Sequence, residues 1–439
     1  MDLLKNIFKG DKVIWIIFLC LCLISIIEVF SAASTLTYKS GDHWGPITQH
    51  SIILMVGAVV VVFLHNVPYK WFQVFPVFLY PISLVLLAFV TLMGIITGDR
   101  VNGAARWMTF MGLQFQPSEL AKMAVIIAVS FILSKRQDEE GANPKAFKYI
   151  MILTGLVLLL IAPENLSTAM LLFGVVFMMM FIGRVAAKKL LLLAGGLVLI
   201  VALGVGTVVA IPAKTLHNTP GLHRLETWQN RIKGFFDKDE VPAAKFDIDK
   251  DAQIAHARIA IATSHVVGKG PGNSIQRDFL SQAFSDFIFA IVIEEMGLIG
   301  GIFVVFLYLC LLMRAGRIAQ KCERTFPAFL VMGIALLLVS QAILNMMVAV
   351  GLFPVTGQPL PLVSKGGTST LINCAYIGMI LSVSRYTAHL EEQKEHDAQL
   401  QLQIETNAAD SEAQAAAEPT AQILNSDAKF EDENDINKG

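Results

Sequence analysis

Charge is what this chain has least of. Only 16% of its 439 residues are Asp, Glu, Lys or Arg, while 55% are hydrophobic. Soluble domains carry about a quarter charged residues, so an ordinary water-soluble fold is excluded. Cysteine is sparse too. Cys20, Cys22, Cys310, Cys322 and Cys374 include no pair at a metal-ligand or redox spacing, and each reads as a small buried hydrophobe. Internal repeats, inverted or parallel, are missing, which counts against many transporter folds. A cleaved leader is also disfavoured. Lys5, Lys9 and Lys12 precede an apolar run at 13–30, and SAAS follows at 31–34. That run is longer than the ~7–15 residues of a signal h-region, so a retained first helix is expected.

What the chain does have is long apolar runs, near 13–33, 50–67, 72–97, 118–134, 147–162, 166–183, 189–211, 287–313, 327–352 and 367–386. A span needs roughly 20 apolar residues. The expected fold class is therefore all-α: a polytopic membrane protein with about ten spanning helices. Pro163, Glu164 and Asn165 read as a tight hairpin between two of them.

Lysine and arginine in the short loops set the orientation. With the N-terminus inside, inner loops hold fifteen: Lys5, Lys9, Lys12, Lys70, Lys135, Arg136, Lys145, Lys148, Arg184, Lys188, Lys189, Arg314, Arg317, Lys321 and Arg324. Outer short loops hold four: Lys39, Arg100, Arg106 and Lys365. Both termini are expected in the cytoplasm and the long loop at about 212–286 outside. That loop offers a basic, aromatic stretch at 223–236 that fits a surface-lying amphipathic helix, and a second short helix at 254–267 ending at GKGPGN. Residues 1–390 form the membrane domain, with a net charge of +9; residues 391–439 carry −10 and are expected to be a disordered cytoplasmic tail. The basic body suits contact with anionic head groups.

Polar groups at membrane depth are costly and mark function or obligatory pairing. Four clusters lie towards the outer face. In the first, Arg106 precedes QPSELAK at 116–122. Pro117 opens a helix, Ser118 can cap it, and Glu119 and Lys122 share a face. This reads either as a capped helix start with a local ion pair or as an anion site in which Arg106 and Lys122 reach a phosphate. In the second, SDFIFAIVIEEMG at 285–297, Ser285 and Asp286 are candidate N-caps. Glu294 and Glu295 lie roughly 12–14 Å further along the helix. Adjacent residues diverge by about 100° around a helix, so both cannot face lipid. The third, GLFPVTGQPLPLVSKGGTST at 351–370, is forbidden helix by Pro354, Pro359 and Pro361. Such backbone must be buried in protein or line a wet cavity. Gln341 and Asn345, one turn apart, precede it. The fourth, GKGPGN at 268–273, reads as a simple turn or a weak phosphate cradle.

These motifs, in this order, resemble the family of shape, elongation, division and sporulation proteins that includes FtsW and RodA. The matching segments are GAARW, QPSELAK, GKGPGNS, SDFIFAIVIEEMGLIG and LPLVSKGGTS, spread over most of residues 12–386. The resemblance implies a peptidoglycan glycosyltransferase that polymerises undecaprenyl-linked lipid II on the outer face of the bacterial cytoplasmic membrane, in division or elongation, with the division type slightly favoured. It implies that Asp286 is catalytic and that Arg106, Glu119, Lys122, Glu294, Glu295 and Lys365 bind substrate. It also implies a class B penicillin-binding protein and other division or elongation proteins as partners, and no nucleic acid. No metal motif is present, although a divalent cation could assist the diphosphate. A lipid II flippase and a non-catalytic scaffold recruiting wall synthases are the alternatives. The sequence departs from the family at APENLS (162–167), where Glu164 stands in for an aspartate and a glycine is missing, at Lys365 in place of an aromatic residue, and at Arg258.

Overall fold

The computed structural model describes residues 9–40, 45–96, 107–110, 113–138, 141–211, 229, 252–280 and 285–436. Among these, ten apolar helices follow the expected runs: α1 (Lys12–Ser40), α2 (Gly45–Asn66), α3 (Phe75–Ile96), α4 (Pro117–Lys135), α5 (Pro144–Ile161), α6 (Leu166–Ile182), α7 (Ala187–Ala210), α9 (Ile288–Lys321), α10 (Thr325–Ala349) and the start of α11 (Thr368–Ile436). Between α7 and α9 lies α8 (Ala252–Thr263). Eight of the described helices are long and apolar enough to cross a membrane, and α6 is shorter at 17 residues. The protein is a polytopic all-α membrane protein. The stretch 223–236 lies outside the described residues except for Gln229.

Local chemistry explains the boundaries. Asp11 caps α1, its Oδ1 accepting from the Val13 N–H at 2.9 Å and the Ile14 N–H at 3.2 Å. Asn143 and Asn165 cap α5 and α6 in the same way. The expected hairpin at 163–165 is present, its turn closed by the Asn165 N–H on the Ile161 carbonyl at 2.7 Å. Pro117 takes the first position of α4, where a missing N–H is harmless. Ser118 follows it inside the helix; Gln116 holds the cap position, with no side-chain cap bond.

Helix α10 is the hub of the bundle. It packs against α4, α6 and α9, while α4 also packs against α3 and α5. Helix α7 is the opposite case, with almost none of its length buried within the protein. Before α4, β1 (Met108–Phe110) and β2 (Leu113–Phe115) form a short antiparallel ladder with Thr109 opposite Gln114. A second ladder, β3 (Gln137–Asp138) with β4 (Gly141–Ala142), follows α4. The chain divides after Arg385. In the second unit, where composition predicts disorder, the helix continues to Ile436 and residues 391–409 are exposed. Ala, Gln and Glu, which dominate this stretch, are strong helix formers even without tertiary support.

Candidate functional site

Asp286 does not cap α9. The helix begins at Ile288 with Phe287 in the cap position and no side-chain cap bond, so Ser285 and Asp286 sit in the preceding turn. That turn is held from two sides. Asn345 Nδ2 on α10 donates to the Asp286 carbonyl at 2.9 Å and to the Gln358 carbonyl at 2.8 Å. Ser364 Oγ donates to the Ser285 carbonyl at 2.6 Å and accepts from the Leu360 N–H at 2.8 Å. Ser285 Oγ donates to Asp286 Oδ1 at 2.8 Å. The backbone of the turn is thus fixed by neutral groups, and half-buried Asp286 accepts from the neighbouring Ser285 hydroxyl.

The Pro-rich segment 351–367 is irregular throughout, as expected; Leu352 and Phe353 at its start are exposed, and the part from Leu360 to Ser364 is buried in protein. Gln341 and Asn345, spaced to share one face, are what hold it. Gln341 Nε2 donates to the Pro359 carbonyl at 3.0 Å. Gln358 Nε2 donates to Thr168 Oγ1 at 2.6 Å, tying the segment to α6. Tyr308 on α9 donates to the Pro361 carbonyl. Leu362 adopts a left-handed φ of 65° in this turn.

Glu119 and Lys122 reach this network from α4. Lys122 Nζ lies 2.8 Å from Glu119 Oε1 and donates to Gln341 Oε1 at 2.9 Å. Lys122 is wholly buried and Glu119 nearly so, at 0% and 1% exposure. Of the two readings of this pair, the local ion pair is present: the lysine's charge is neutralised and enclosed, and its reach goes into the amide that holds Pro359. Lys365 follows Ser364 directly and is half-buried; burial lowers its ammonium from lysine's usual value of 10.5. Arg106 lies outside the described residues.

Glu294 and Glu295 meet the demand for polar surroundings within the protein itself. Both are fully buried and grip the Gly-rich loop. Glu294 accepts from Lys269 Nζ at 2.6 Å, the Ile275 N–H at 3.2 Å, the Gln276 N–H at 3.3 Å and Ser274 Oγ. Glu295 accepts from the Gly272 N–H at 3.0 Å, the Ser274 N–H at 3.3 Å and Ser31 Oγ of α1. Arg277 adds Nη1 contacts to the Ser31 carbonyl at 2.9 Å and the Gly272 carbonyl at 2.8 Å. The turn does cradle anions, but they are the protein's own carboxylates, which leaves its N–H groups unavailable to a phosphate.

A break in α9 makes room for this clamp. Gly297 has φ 73° and ψ −177°. The Lys269 and Gly270 N–H groups donate to the Glu294 and Glu295 carbonyls at 3.0 and 2.8 Å, and the Leu298 N–H donates to the His265 carbonyl at 3.3 Å. The loop therefore supplies the partners that the broken helix loses. A Cβ on Gly297 would meet the Val266 carbonyl oxygen at 2.3 Å, and one on Gly268 would meet the Gly297 nitrogen at the same distance. Lys269, Ser274, Arg277 and Ser31 escaped sequence reading because a clamp partner need share no spacing with its acid. Among the described residues no group of three His, Cys, Asp or Glu side chains is arranged to hold a metal.

Of the departures, Arg258 is an exposed residue of α8 with its guanidinium over Gly351, on which a Cβ would come within 2.8 Å of Nε. Glu164 lies in the α5–α6 hairpin.

The profile of the FtsW, RodA and SpoVE cell cycle proteins matches residues 11–389. The chain belongs to this family. A relative from Trichlorobacter lovleyi, named "Probable peptidoglycan glycosyltransferase FtsW", is 32% identical over 88% of this chain and 96% of its own length. One of the same name from Halomonas elongata is 31% identical over 83% and 88%. Among solved structures, a chain of a peptidoglycan synthase complex that coordinates polymerization and crosslinking superposes with a TM-score of 0.66 at 24% identity, covering 87% of this chain and 99% of that one. The Thermus thermophilus rod shape determining protein RodA does so with 0.58 at 23%, covering 87% and 98%. At these identities the structures establish the fold.

Proposed function

We propose that this protein is a peptidoglycan glycosyltransferase that polymerises lipid II into glycan strands during division or elongation. The observation that carries the reading is the convergence on Asp286. The turn that carries it is tied through its backbone to Asn345 on α10 and to Ser364 in the Pro-rich segment, 59 and 79 residues further along the chain. Family membership and relatives named peptidoglycan glycosyltransferases support it. The short basic loops mark the cytoplasmic end, so both termini lie inside and Asp286 lies towards the outer face of the cytoplasmic membrane.

In the reaction, Asp286 takes the proton of the acceptor's 4-hydroxyl. The hydroxyl oxygen bonds to the anomeric carbon of the donor as the carbon–oxygen bond to the diphosphate breaks. The diphosphate leaves with the electron pair, and the anomeric centre inverts. A hydroxyl is a weak nucleophile, so a base within hydrogen-bond reach accelerates attack by about 10²–10⁴-fold. Arg106 and Lys365 are the proposed cations for the departing charge. Glu119, Lys122, Glu294 and Glu295 position the segments rather than touch substrate.

The test is Asp286→Asn in purified protein given lipid II. Glycan product should fall by at least about a hundredfold while the melting temperature is kept. Wild-type turnover in the variant would overturn the base assignment. Polymer made in detergent, with no bilayer to cross, separates a polymerase from a flippase. The proposed partner is a class B penicillin-binding protein, and turnover at fixed lipid II should rise as it is added.

A further inference from the structure

We propose that the groove between α5, α6 and α7 binds an anionic phospholipid of the leaflet at the basic end of the bundle. The groove encloses about 490 Å³. Its walls include Phe147 and Leu158 of α5, Phe173 of α6, and Leu193 and Leu197 of α7. Every residue lining it is apolar except Lys189. From Phe147 to Ala162, which also lines the groove, is about 22 Å of helix. The slot thus runs along most of α5 and accommodates one extended acyl chain.

Lys189 gives the groove its polarity. It is half-buried, with its ammonium 5.5 Å from the centre of the Phe147 ring and 3.5 Å from the Pro144 carbonyl. Both contacts are weak, and the charge remains at the mouth. Exposed Lys145 and Lys148 on the first turns of α5, and Lys188 on α7, lie at the same end. Helices α5 and α7 both start there, so both dipoles present their positive ends. Of the acids in the adjoining turn, Asp138 accepts from Asn143 Nδ2 at 3.1 Å, and Glu139 and Glu140 lie outside the described residues. A phosphate over Lys189 with its chain in the groove would complete an apolar slot capped by cations. It would also cover α7, whose length is otherwise bare. The single polar group lies at the basic end, which selects a phospholipid of that leaflet over a polyprenyl carrier entering from the other.

The full chain, delipidated in detergent, would be titrated with dioleoylphosphatidylglycerol, dioleoylphosphatidylcholine or undecaprenyl phosphate, and bound lipid counted by native mass spectrometry. The glycerol lipid should be retained over the choline lipid. Lys189→Glu should weaken phosphatidylglycerol about fivefold or more and leave phosphatidylcholine unchanged. Leu193→Trp, which fills the slot, should weaken both. Lys70→Glu, a charge change in another loop of the same end, should do nothing. Melting curves confirm that each variant is folded. Equal retention of the two phospholipids overturns the proposal, as does indifference to Lys189→Glu. Displacement of phosphatidylglycerol by undecaprenyl phosphate in both wild type and Lys189→Glu would do so as well. None of these readouts requires turnover, so they stand apart from the catalytic assignment.

Discussion

Two irregular segments enter this bundle, and they are held by opposite chemistry. The loop 264–278 is gripped by charge, with two buried carboxylates, a lysine and an arginine closing over backbone N–H groups. The segment 351–367 is gripped by neutral amides and hydroxyls from Gln341, Asn345, Ser364 and Thr168. The charged clamp sits at a helix break, where several carbonyls and N–H groups need partners together. The neutral clamp sits beside Asp286, where a second fixed anion or cation would alter the carboxylate's basicity. A charged clamp holds the helix break directly, whereas beside Asp286 the direct ties are neutral and the charged pair Glu119–Lys122 acts one step back, through Gln341.

Breaking the charged clamp should have the larger effect on stability. Glu294→Ala leaves Lys269 and several N–H groups without their acceptor, and losing one partner of a buried pair costs about 3–5 kcal/mol. Lys122→Ala, one step behind the neutral clamp, strands buried Glu119 and should also cost about 3–5 kcal/mol. Denaturation curves of the detergent-solubilised variants check both, and a near-zero shift for either would remove the contrast. The neutral clamp should yield more gently. Asn345→Ala removes two donors and should cost about 1–3 kcal/mol, with turnover on lipid II falling further than that stability loss accounts for, because the turn bearing Asp286 is released. Unchanged turnover would mean the tie is structural only.

Lys365 sharpens the comparison through pH. Burial disfavours its charged form, so the folded protein gives up this proton at lower pH than the unfolded chain. Its contribution to stability therefore rises with pH between the lowered value and 10.5. If it binds the diphosphate, donor affinity falls through the same window. Lys365→Arg, which stays charged, should abolish that alkaline loss in KM against pH. The smallest effect belongs to the second unit: truncation after residue 390 removes no group of either clamp, and polymerisation by the purified protein should be unchanged.

Much of the candidate site was legible before any coordinates. The prolines at 354, 359 and 361 rule out helix, and the four-residue spacing of Gln341 and Asn345 places two amides on one face, which is where the segment is held. The i,i+3 spacing of Glu119 and Lys122 gives their ion pair. What spacing did not reveal was whether that pair is open or enclosed, because enclosure depends on α10 and Gln341, more than two hundred residues away. Glu294 and Glu295 teach the same point. Their adjacency demands polar surroundings, but a substrate cavity and a loop of the same chain satisfy that demand equally.

The sequence by itself determined the number and course of the apolar helices, because a bilayer admits only segments that satisfy their own backbone hydrogen bonds. It also determined where helix must stop, through proline and glycine. The tertiary structure decided which polar groups meet one another. It placed Asp286 before α9 rather than at its cap, gave the Gly-rich turn the protein's own carboxylates as its anions, and left α7 bare. These outcomes rest on contacts between residues distant in the chain. Such contacts are fixed by packing the helices together, and no local spacing encodes them.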